Sequence, residues 1–435
     1  MKQHLGTVLA AAVALTGLAG CNGGDDGRLT YYRDVKVLLD ANCIRCHVEG
    51  GIAPMPLTSY DEAYPYRARI REKIEAREMP PWLAAPGCSD YYADKSLTDD
   101  EIATVTGWID DGAPKGKAED EPAPRPEMEV SLSRVDMSAE MAVPYSPMIS
   151  PDDYRCFMID WPEEARTYVT GFRANPGTPE EVHHVIAFLA DAADVADYEA
   201  LDAAEPGPGW TCFGGPGGTS QNVGWLGAWA PGSNGSDYPP DTGLPVDPGS
   251  KIILQVHYNT LNHDPEPDVT SVDFKLDASV IKEAFFLPWA DYTWIGGGPS
   301  MRIPAGEADV MHSYSASLND LIGSPIPLTF TLYSAAAHMH TRGVTENLSI
   351  VHADGSRECM LDVEHWNFHW QMAYAFSTPK TLLPDDELYI ECHWDNSEAN
   401  QPMGADGLPL PTEDLYWGEG TTDEMCLGLF YMTLL

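Results

Sequence analysis

The sequence predicts a mainly β protein in which two β-sandwiches are preceded by a small all-α module. Three observations support this fold class. Helical periodicity is confined to the part of the chain before residue 118. Beyond it, short runs rich in β-branched and aromatic residues recur between Gly, Pro and Asp, a spacing typical of sandwiches. The 435 residues are also enough for about three domains.

The N-terminus predicts an export signal. Lys2 precedes an apolar stretch that is too short to span a membrane as a stable helix, and small residues lead to Cys21. This pattern resembles a bacterial lipobox, in which the cysteine becomes lipidated; an ordinary cleaved signal is the alternative. We predict a signal peptide over 1–21 and a polar tether over 22–30. The expected location is the bacterial cell envelope, periplasmic or surface-exposed, with lipid as the membrane anchor.

Composition restricts the partners that the protein can have. The chain has 67 acidic and 25 basic residues, for a formal net charge of −42. This charge repels nucleic acid and anionic membrane surfaces, so neither is an expected partner. Nine cysteines fit an oxidising compartment, where thiols pair into disulfides.

The helical module is predicted over residues 31–117. Amphipathic helices are expected over 31–41 and 61–78. A third helix should begin after Thr98, because Thr98 can act as the N-cap and Glu101 occupies the capping-box position.

The rest of the chain is predicted to form a linker and two sandwiches. The linker, 118–135, is charged and contains proline. Because the β-rich part is too long for one sandwich, we divide it into 136–280 and 281–435. Strands are expected at 167–172, 183–189, 251–258, 327–333, 348–352, 388–394 and 427–433.

The helical module carries a C-x-x-C-H motif in Cys43, Cys46 and His47. In this motif both thiols attach to a c-type haem and the histidine supplies one axial nitrogen. A disulfide loop or a zinc half-site could use the same residues, but no second ligand pair follows nearby. Met79, in a proline-containing loop after the second helix, is the expected second axial ligand, and Met55 is the alternative. The module resembles a small class I cytochrome c.

Six potential metal ligands lie in the predicted sandwiches. Imidazole and thioether groups suit copper that cycles between Cu(I) and Cu(II). His338 and His340 alternate on a strand and so face the same side, whereas the adjacent His183 and His184 need a bulge or a ring turned to bind through Nδ1. The ligands form two groups: His183, His184 and His257, and His338, His340 and Met425.

Four segments resemble, in chain order, the ligand segments of copper type II ascorbate-dependent monooxygenases. These segments are His-His-Val at 183–185, Leu-Gln-Val-His-Tyr at 254–258, His-Met-His-Thr at 338–341 and Thr-Thr-Asp-Glu-Met-Cys at 421–426. The resemblance covers about residues 150–435 and implies two jelly-roll-like sandwiches flanking a cleft, each with one copper. The first histidine group would hold an electron-relay copper with Gln255 beside it. His338, His340 and Met425 would be catalytic and hold the copper that binds O2.

The resemblance also implies hydroxylation of a C–H bond of a small organic substrate. Electrons would come from an ascorbate-like reductant or a redox protein, with the fused haem as internal donor. The alternative is a lipoprotein that transfers electrons or binds copper without oxygenase activity. Members that amidate peptides hold the peptide with polar residues at three positions. This chain has Ala336, Leu427 and Leu429 there, which favours a less polar or differently shaped substrate.

Six cysteines have no role in lipid or haem attachment. The resemblance implies a disulfide between Cys392 and Cys426. Cys156 and Cys212 are expected to support the first sandwich, either as a pair or separately. Two cysteines have no assigned partner: Cys88 and Cys359.

Overall fold

The computed structural model describes residues 27–44, 46–49, 53–124, 131–218, 223–230, 233, 235–260, 264–295, 299–404 and 407–435. The predicted signal peptide, Cys21, most of the tether and part of the linker lie outside these residues. In the described part of the chain, no helix has both the length and the apolar character needed to cross a membrane. The chain divides into a helical unit (Met1–Pro80 and Leu97–Pro126) and a β unit (Pro81–Ser96 and Glu127–Leu435).

The helical unit contains the three predicted helices. They are α1 (Lys36–Asn42), which continues from a π-helical turn at Tyr31–Val35, α2 (Tyr60–Glu75) and α3 (Asp99–Asp110). The predicted capping box is present, because the Thr98 side chain accepts the Glu101 N–H and the Glu101 carboxylate accepts the Thr98 N–H. The apolar helix faces meet around Trp108, which is fully buried.

The β unit contains all seven predicted strands and others that were not predicted. The strands are β1 (Met137–Glu140), β2 (Asp152–Asp160), β3 (Thr167–Asn175), β4 (Val182–Ala190), β5 (Trp210–Thr211), β6 (Gly224–Trp229), β7 (Ser236–Asp237), β8 (Thr242–Val246), β9 (Lys251–Asn259), β10 (Ser271–Asp277), β11 (Lys282–Trp289), β12 (Val310–Ala316), β13 (Phe330–His338), β14 (Gly343–Val351), β15 (Arg357–Val363), β16 (Ala373–Leu382), β17 (Glu387–Trp394) and β18 (Leu427–Leu434). Two unpredicted helices are α4 (Val195–Ala204) and α5 (Leu318–Ile322).

The strands form three sheets. A nine-stranded sheet has the order β1-β10-β3-β8-β11-β18-β13-β16, with β7 paired to β3. The five-stranded sheet β5-β2-β9-β4-β6 shares one apolar core with the first half of the large sheet, and the four-stranded sheet β12-β17-β14-β15 shares a second core with the other half. The predicted fold class, mainly β with two sandwiches after a small helical region, is confirmed.

The two sandwiches share the large sheet across the predicted boundary at residue 281. β11 pairs in parallel with β8 of the first sandwich, where Lys282 is opposite Thr242. The same strand pairs antiparallel with β18 of the second sandwich, where Ala284 is opposite Thr433. Backbone hydrogen bonds therefore run continuously from one sandwich to the other, and both belong to one compact unit.

Residues 81–96 lie between α2 and α3 in sequence but belong to the β unit. The predicted helical module, 31–117, therefore includes a segment that packs elsewhere. The reason is the chemistry of this segment: the Trp82 ring packs edge-on against Tyr374, with 4.9 Å between ring centroids, and Tyr91 is buried in the same core. A disulfide from this segment to β15 adds a covalent attachment.

Six cysteines form three disulfides. The pair implied by the family resemblance is present and joins β17 to the residue before β18. Cys156 of β2 pairs with Cys212, the residue after β5. Cys88 and Cys359, for which the sequence assigned no partner, pair with each other across 271 residues. The pairs are Cys392–Cys426, Cys156–Cys212 and Cys88–Cys359.

Candidate functional site

Adjacent strands bring the first three histidines together. His183 and His184 lie near the start of β4, and His257 lies opposite His184 on β9. The strand pairing shifts register between Val182 and His184, and a bulge is one of the two arrangements expected to allow joint use of adjacent histidines, the other being a turned ring. The candidate ligand nitrogens of the three rings all lie within 4.8 Å of one another.

The environment of His183 fits a metal ligand. Both of its ring nitrogens are buried, and neither has a hydrogen-bond partner in the described part of the chain. A buried polar group without a partner is costly, so a ligand that pairs with it is expected. Burial lowers the pKa of His183 to about 4, and the nearby His369 and His338 act in the same direction. The imidazole is therefore neutral near pH 7, which is the form that binds metals.

Asp152 and Tyr154, both on β2, orient His257. The His257 Nε2 donates to the Asp152 carboxylate at 2.9 Å, while its Nδ1 lies 3.3 Å from the His184 Nδ1. The Tyr154 ring stacks on the His257 ring, with 3.9 Å between centroids and 10° between planes. Because the carboxylate accepts the proton on Nε2, Nδ1 is the nitrogen left for a metal. Burial lowers the pKa values of His184 and His257 well below the ordinary value.

The second histidine group lies at the end of β13. His338 and His340 share a face, with 5.2 Å between ring centroids, whereas Met339 is fully buried in the core on the other side, as alternation predicts. The Nδ1 of His338 lies 2.6 Å from the Gln371 Oε1, and the Nδ1 of His340 lies 3.2 Å from the Asp423 carbonyl oxygen. Each Nδ1 is thus held by an acceptor, and each Nε2 is left for a metal.

Glu424 holds the chain beside Met425 against the second histidine group. Its carboxylate accepts the backbone N–H of His340 at 3.1 Å and that of Arg342 at 2.7 Å. Leu427, two residues after Met425, lies opposite His338 in the pairing of β13 with β18. Met425 itself is 6% exposed. The carboxylate of Glu424, the residue before Met425, thus holds this part of the chain against the backbone of His340.

Contacts between the two sandwiches connect the histidine groups. Asp152, which holds His257, also accepts the Thr421 hydroxyl at 2.6 Å. The Tyr154 hydroxyl donates to the backbone carbonyl of Glu419 at 3.0 Å. The segment that leads to Met425 therefore packs directly against the strand that supports the first histidine group.

The face of β13 and β18 next to the second group is apolar. Ala336 lies opposite Leu429, and His338 lies opposite Leu427. Residues directly opposite each other in a sheet project to the same face. Ala336, Leu427 and Leu429 therefore line the side of the sheet that carries His338, and all three are partly exposed.

Several supporting residues were missed by sequence reasoning. Asp152 precedes its partner His257 by 105 residues, and Gln371 follows His338 by 33 residues, so no local pattern links either pair. Gln255, expected beside the first group, is buried and donates its Nε2 to the carbonyl of Cys212 at 2.9 Å. It therefore connects β9 to the disulfide-bonded loop after β5.

The C-x-x-C-H residues follow α1 as a turn. The N–H groups of Cys46 and His47 both donate to the Cys43 carbonyl, and neither cysteine is in a disulfide. The Nδ1 of His47 lies 2.9 Å from the Met55 carbonyl oxygen, which leaves Nε2 for an axial bond. The Met55 side chain packs on the helical core, whereas Met79 is half-buried in the loop after α2.

Two neighbouring sandwiches that present buried histidines to one region define a β-sandwich protein with candidate sites for a transition metal, copper among them. Two family models match the chain: the N-terminal domain of copper type II ascorbate-dependent monooxygenases over residues 139–265, and the C-terminal domain over residues 294–433. The chain belongs to the copper type II ascorbate-dependent monooxygenase family.

Similar proteins include animal members of this family. Tyramine beta-hydroxylase of Caenorhabditis briggsae is 22% identical over 398 residues, which cover 83% of this chain and 60% of that protein. DBH-like monooxygenase protein 1 of Gallus gallus is 22% identical over 272 residues, covering 58% and 39%. Putative DBH-like monooxygenase protein 2 of Homo sapiens is 24% identical over 328 residues, covering 67% and 58%. The chain thus spans less than two thirds of the length of these relatives.

Proposed function

We propose that the protein hydroxylates a C–H bond of a small organic substrate with O2. One oxygen atom enters the product and the other leaves as water, which requires two electrons and two protons. An ascorbate-like reductant fits the family as the electron source. The observation that carries the proposal is that each of the two sandwiches, which match the two domains of the family, contains one histidine group. Hydrogen bonds of Asp152 with Thr421 and of Tyr154 with Glu419 hold the two groups near each other.

The histidine groups are the proposed copper sites. When bound, copper supplies one-electron transfer and O2 binding. Neither ring nitrogen of His183 has a partner among the described residues, which fits a metal ligand, and the thioether of Met425 favours Cu(I), the state that binds O2. The proposed ligands are His183, His184 and His257 for the relay copper, and His338, His340 and Met425 for the copper at which O2 binds.

Other side chains hold these ligands in place. Asp152 keeps the His257 proton on Nε2, and Gln371 keeps the His338 proton on Nδ1, so the opposite nitrogen of each ring faces its site. Tyr154 covers one face of the His257 ring and excludes water from it. A fixed tautomer and a fixed ring orientation favour metal binding, because neither has to be established when the ion arrives.

The apolar sheet face favours an uncharged substrate. Ala336, Leu427 and Leu429 offer no hydrogen bond or ion pair to a peptide carboxylate. A charged group placed against these side chains would lose its hydration without gaining a partner. We therefore expect a substrate whose reacting end is apolar, and peptide amidation does not fit.

Haem is the proposed internal electron donor. Two cysteines outside disulfides and a histidine with its Nδ1 already bonded suit covalent attachment and axial ligation by His47. Met79 is the proposed second axial ligand, because it lies in the loop between α2 and α3, and Met55 is the alternative. An external redox protein could then deliver electrons to the haem.

The proposed location is the bacterial cell envelope. Lipidation at Cys21 would anchor the protein, and the three disulfides fit an oxidising compartment such as the periplasm or the cell surface. Labelling of the intact protein with a fatty-acid analogue, compared with Cys21→Ser, tests the anchor. No label on the unaltered protein would contradict it.

Substrate-dependent O2 consumption tests the oxygenase proposal. The copper-loaded protein would be supplied with ascorbate and a panel of uncharged aryl-alkyl and aliphatic compounds, with product analysis under ¹⁸O2. We expect ¹⁸O in a hydroxylated product, lost in Met425→Ala and retained in Met403→Ala, which replaces a methionine that is 59% exposed. Full hydroxylation by Met425→Ala would contradict the proposal. Copper that is reduced and reoxidised with no product from any compound would favour an electron-transfer or copper-binding role.

A further inference from the structure

Two glutamates are fully buried next to the second histidine group. Glu346, on β14, and Glu424, the residue before Met425, are each 0% exposed. On β14, Leu348 and Ile350 project to the same side as Glu346 and belong to the apolar core of the second sandwich. A carboxylate buried in such a core is costly unless hydrogen bonds compensate for its lost hydration, so its partners indicate why it is there.

Both carboxylates accept backbone N–H groups of the segment that carries the histidines. The Oε2 of Glu346 accepts the N–H of His338 at 3.1 Å. The Oε2 of Glu424 accepts the N–H of His340 at 3.1 Å, and its Oε1 accepts that of Arg342 at 2.7 Å. β13 and its pairing with β18 both end at His338, so the sheet does not hold the chain beyond this residue. The two side chains therefore supply hydrogen-bond acceptors where the strand pairing stops.

Glu424 also connects the histidine segment to β17. Trp394 of β17 donates its indole N–H to the Oε2 of Glu424 at 2.9 Å. Cys392 of the same strand forms the disulfide with Cys426. The residues on both sides of Met425 are therefore attached to β17, one through a carboxylate and the other through a covalent bond.

We propose that Glu346 and Glu424 are positioning residues for the second histidine group and Met425. They fix the backbone so that two imidazoles and one thioether can reach the same ion. The inference rests on the proposed assignment of these groups as copper ligands, and it adds what keeps them in place. A set of ligands that is ordered before the ion arrives binds it more tightly, because less freedom is lost on binding.

The two carboxylates differ in a way that substitutions can test. Both oxygens of Glu424 accept N–H groups, so Glu424→Gln would place an amide NH2 against another donor. Glu346 bonds through Oε2, and its Oε1 has no partner among the described residues. Glu346→Gln can therefore keep the bond to His338 through its amide oxygen, whereas Glu346→Leu removes it.

Cu(I) competition titrations against a chelator of known affinity test this inference without turnover, and Cu(II) EPR assigns each copper to its site. We expect the copper of the second group to bind about 10–100-fold more weakly in Glu424→Gln and in Glu346→Leu, with the copper of the first group unchanged. Glu346→Gln should match the unaltered protein. Asp386→Asn is the matched control, because Asp386 is another carboxylate of the second sandwich, 2% exposed, whose Oδ2 accepts the Leu383 N–H.

The first histidine group serves as the reference for folding in every variant. Unchanged affinity at the second group in both Glu424→Gln and Glu346→Leu would overturn the inference. An equal loss at both groups would also overturn it, because a weakened fold would then explain the effect. Equal losses in Glu346→Gln and Glu346→Leu would overturn the role of the Glu346 hydrogen bond. An unaltered protein with no copper at the second group would overturn the ligand assignment itself, and this inference with it.

Discussion

Replacement of Asp152 tests how the first histidine group is maintained. Its carboxylate Oδ1 accepts the His257 Nε2–H at 2.9 Å, the Asn259 amide at 3.0 Å and the Thr421 hydroxyl at 2.6 Å. Asp152→Ala removes the group that fixes the His257 tautomer. Loss of such a partner typically lowers metal affinity by about 10–100-fold, which corresponds to about 1.4–2.8 kcal/mol of binding free energy.

The assay is a competition titration of copper against a chelator of known affinity. One of the two coppers should bind about 10–100-fold more weakly in Asp152→Ala, with the other unchanged. Thr421→Val removes only the contact with the second sandwich and should have a smaller effect. Asp160→Ala, on the same strand but in an exposed ion pair with Lys251, serves as the control for loss of one carboxylate.

Either of two results would refute this reasoning. Equal copper affinity in Asp152→Ala and the unaltered protein would show that the carboxylate does not orient His257. An equal loss in Thr421→Val and Asp152→Ala would assign the effect to the contact between the sandwiches instead of the histidine tautomer.

Two further predictions concern the haem and the segment that leaves the helical unit. Met79→Ala should remove the second axial bond and convert the haem to a five-coordinate spectrum, whereas Met55→Ala should keep the six-coordinate spectrum; the reverse pattern would assign Met55 as the ligand. Cys359→Ser combined with Cys88→Ser should lower the free energy of unfolding of the β unit by about 2–4 kcal/mol, because the open chain gains entropy when unfolded. Urea denaturation followed by tryptophan fluorescence measures this change, and an unchanged midpoint would contradict it.

The strands that carry the histidines were predictable because their sequence pattern is local. β4 and β9 are apolar runs flanked by turn residues, and this local pattern alone predicts a strand at each. A bulge next to His184 was one of two predictable arrangements, since adjacent side chains of a regular strand point to opposite faces and need either an irregular strand or a turned ring to reach one site. His338 and His340 share a face because alternation along a strand requires it.

The groups that orient these histidines were not predictable from one sequence. β2 begins Asp-Asp-Tyr-Arg, a polar stretch with no strand pattern, and it becomes buried because the five-stranded sheet places it beside β9. Residues 366–371, between β15 and β16, have no regular periodicity, yet Phe368 stacks on His183 and Trp366 and Gln371 hydrogen-bond to His340 and His338. Such contacts depend on tertiary packing, which overrides local preference.

The position of residues 81–96 has the same explanation. The segment continues the helical module in sequence. Its Cys88 forms a disulfide with Cys359, which lies 271 residues further along the chain. Only the folded second sandwich supplies the apolar surface on which Trp82 and Tyr91 pack.

The copper content of the purified protein tests the central claim most directly. After reconstitution and removal of loosely bound metal, copper and protein would be quantified for the unaltered chain, His257→Ala and Met425→Ala. The two-site account predicts two coppers per chain in the unaltered protein and one in each variant, with distinct Cu(II) EPR spectra because each variant keeps a different site. A protein that retains no copper, or variants that both retain two, would contradict it.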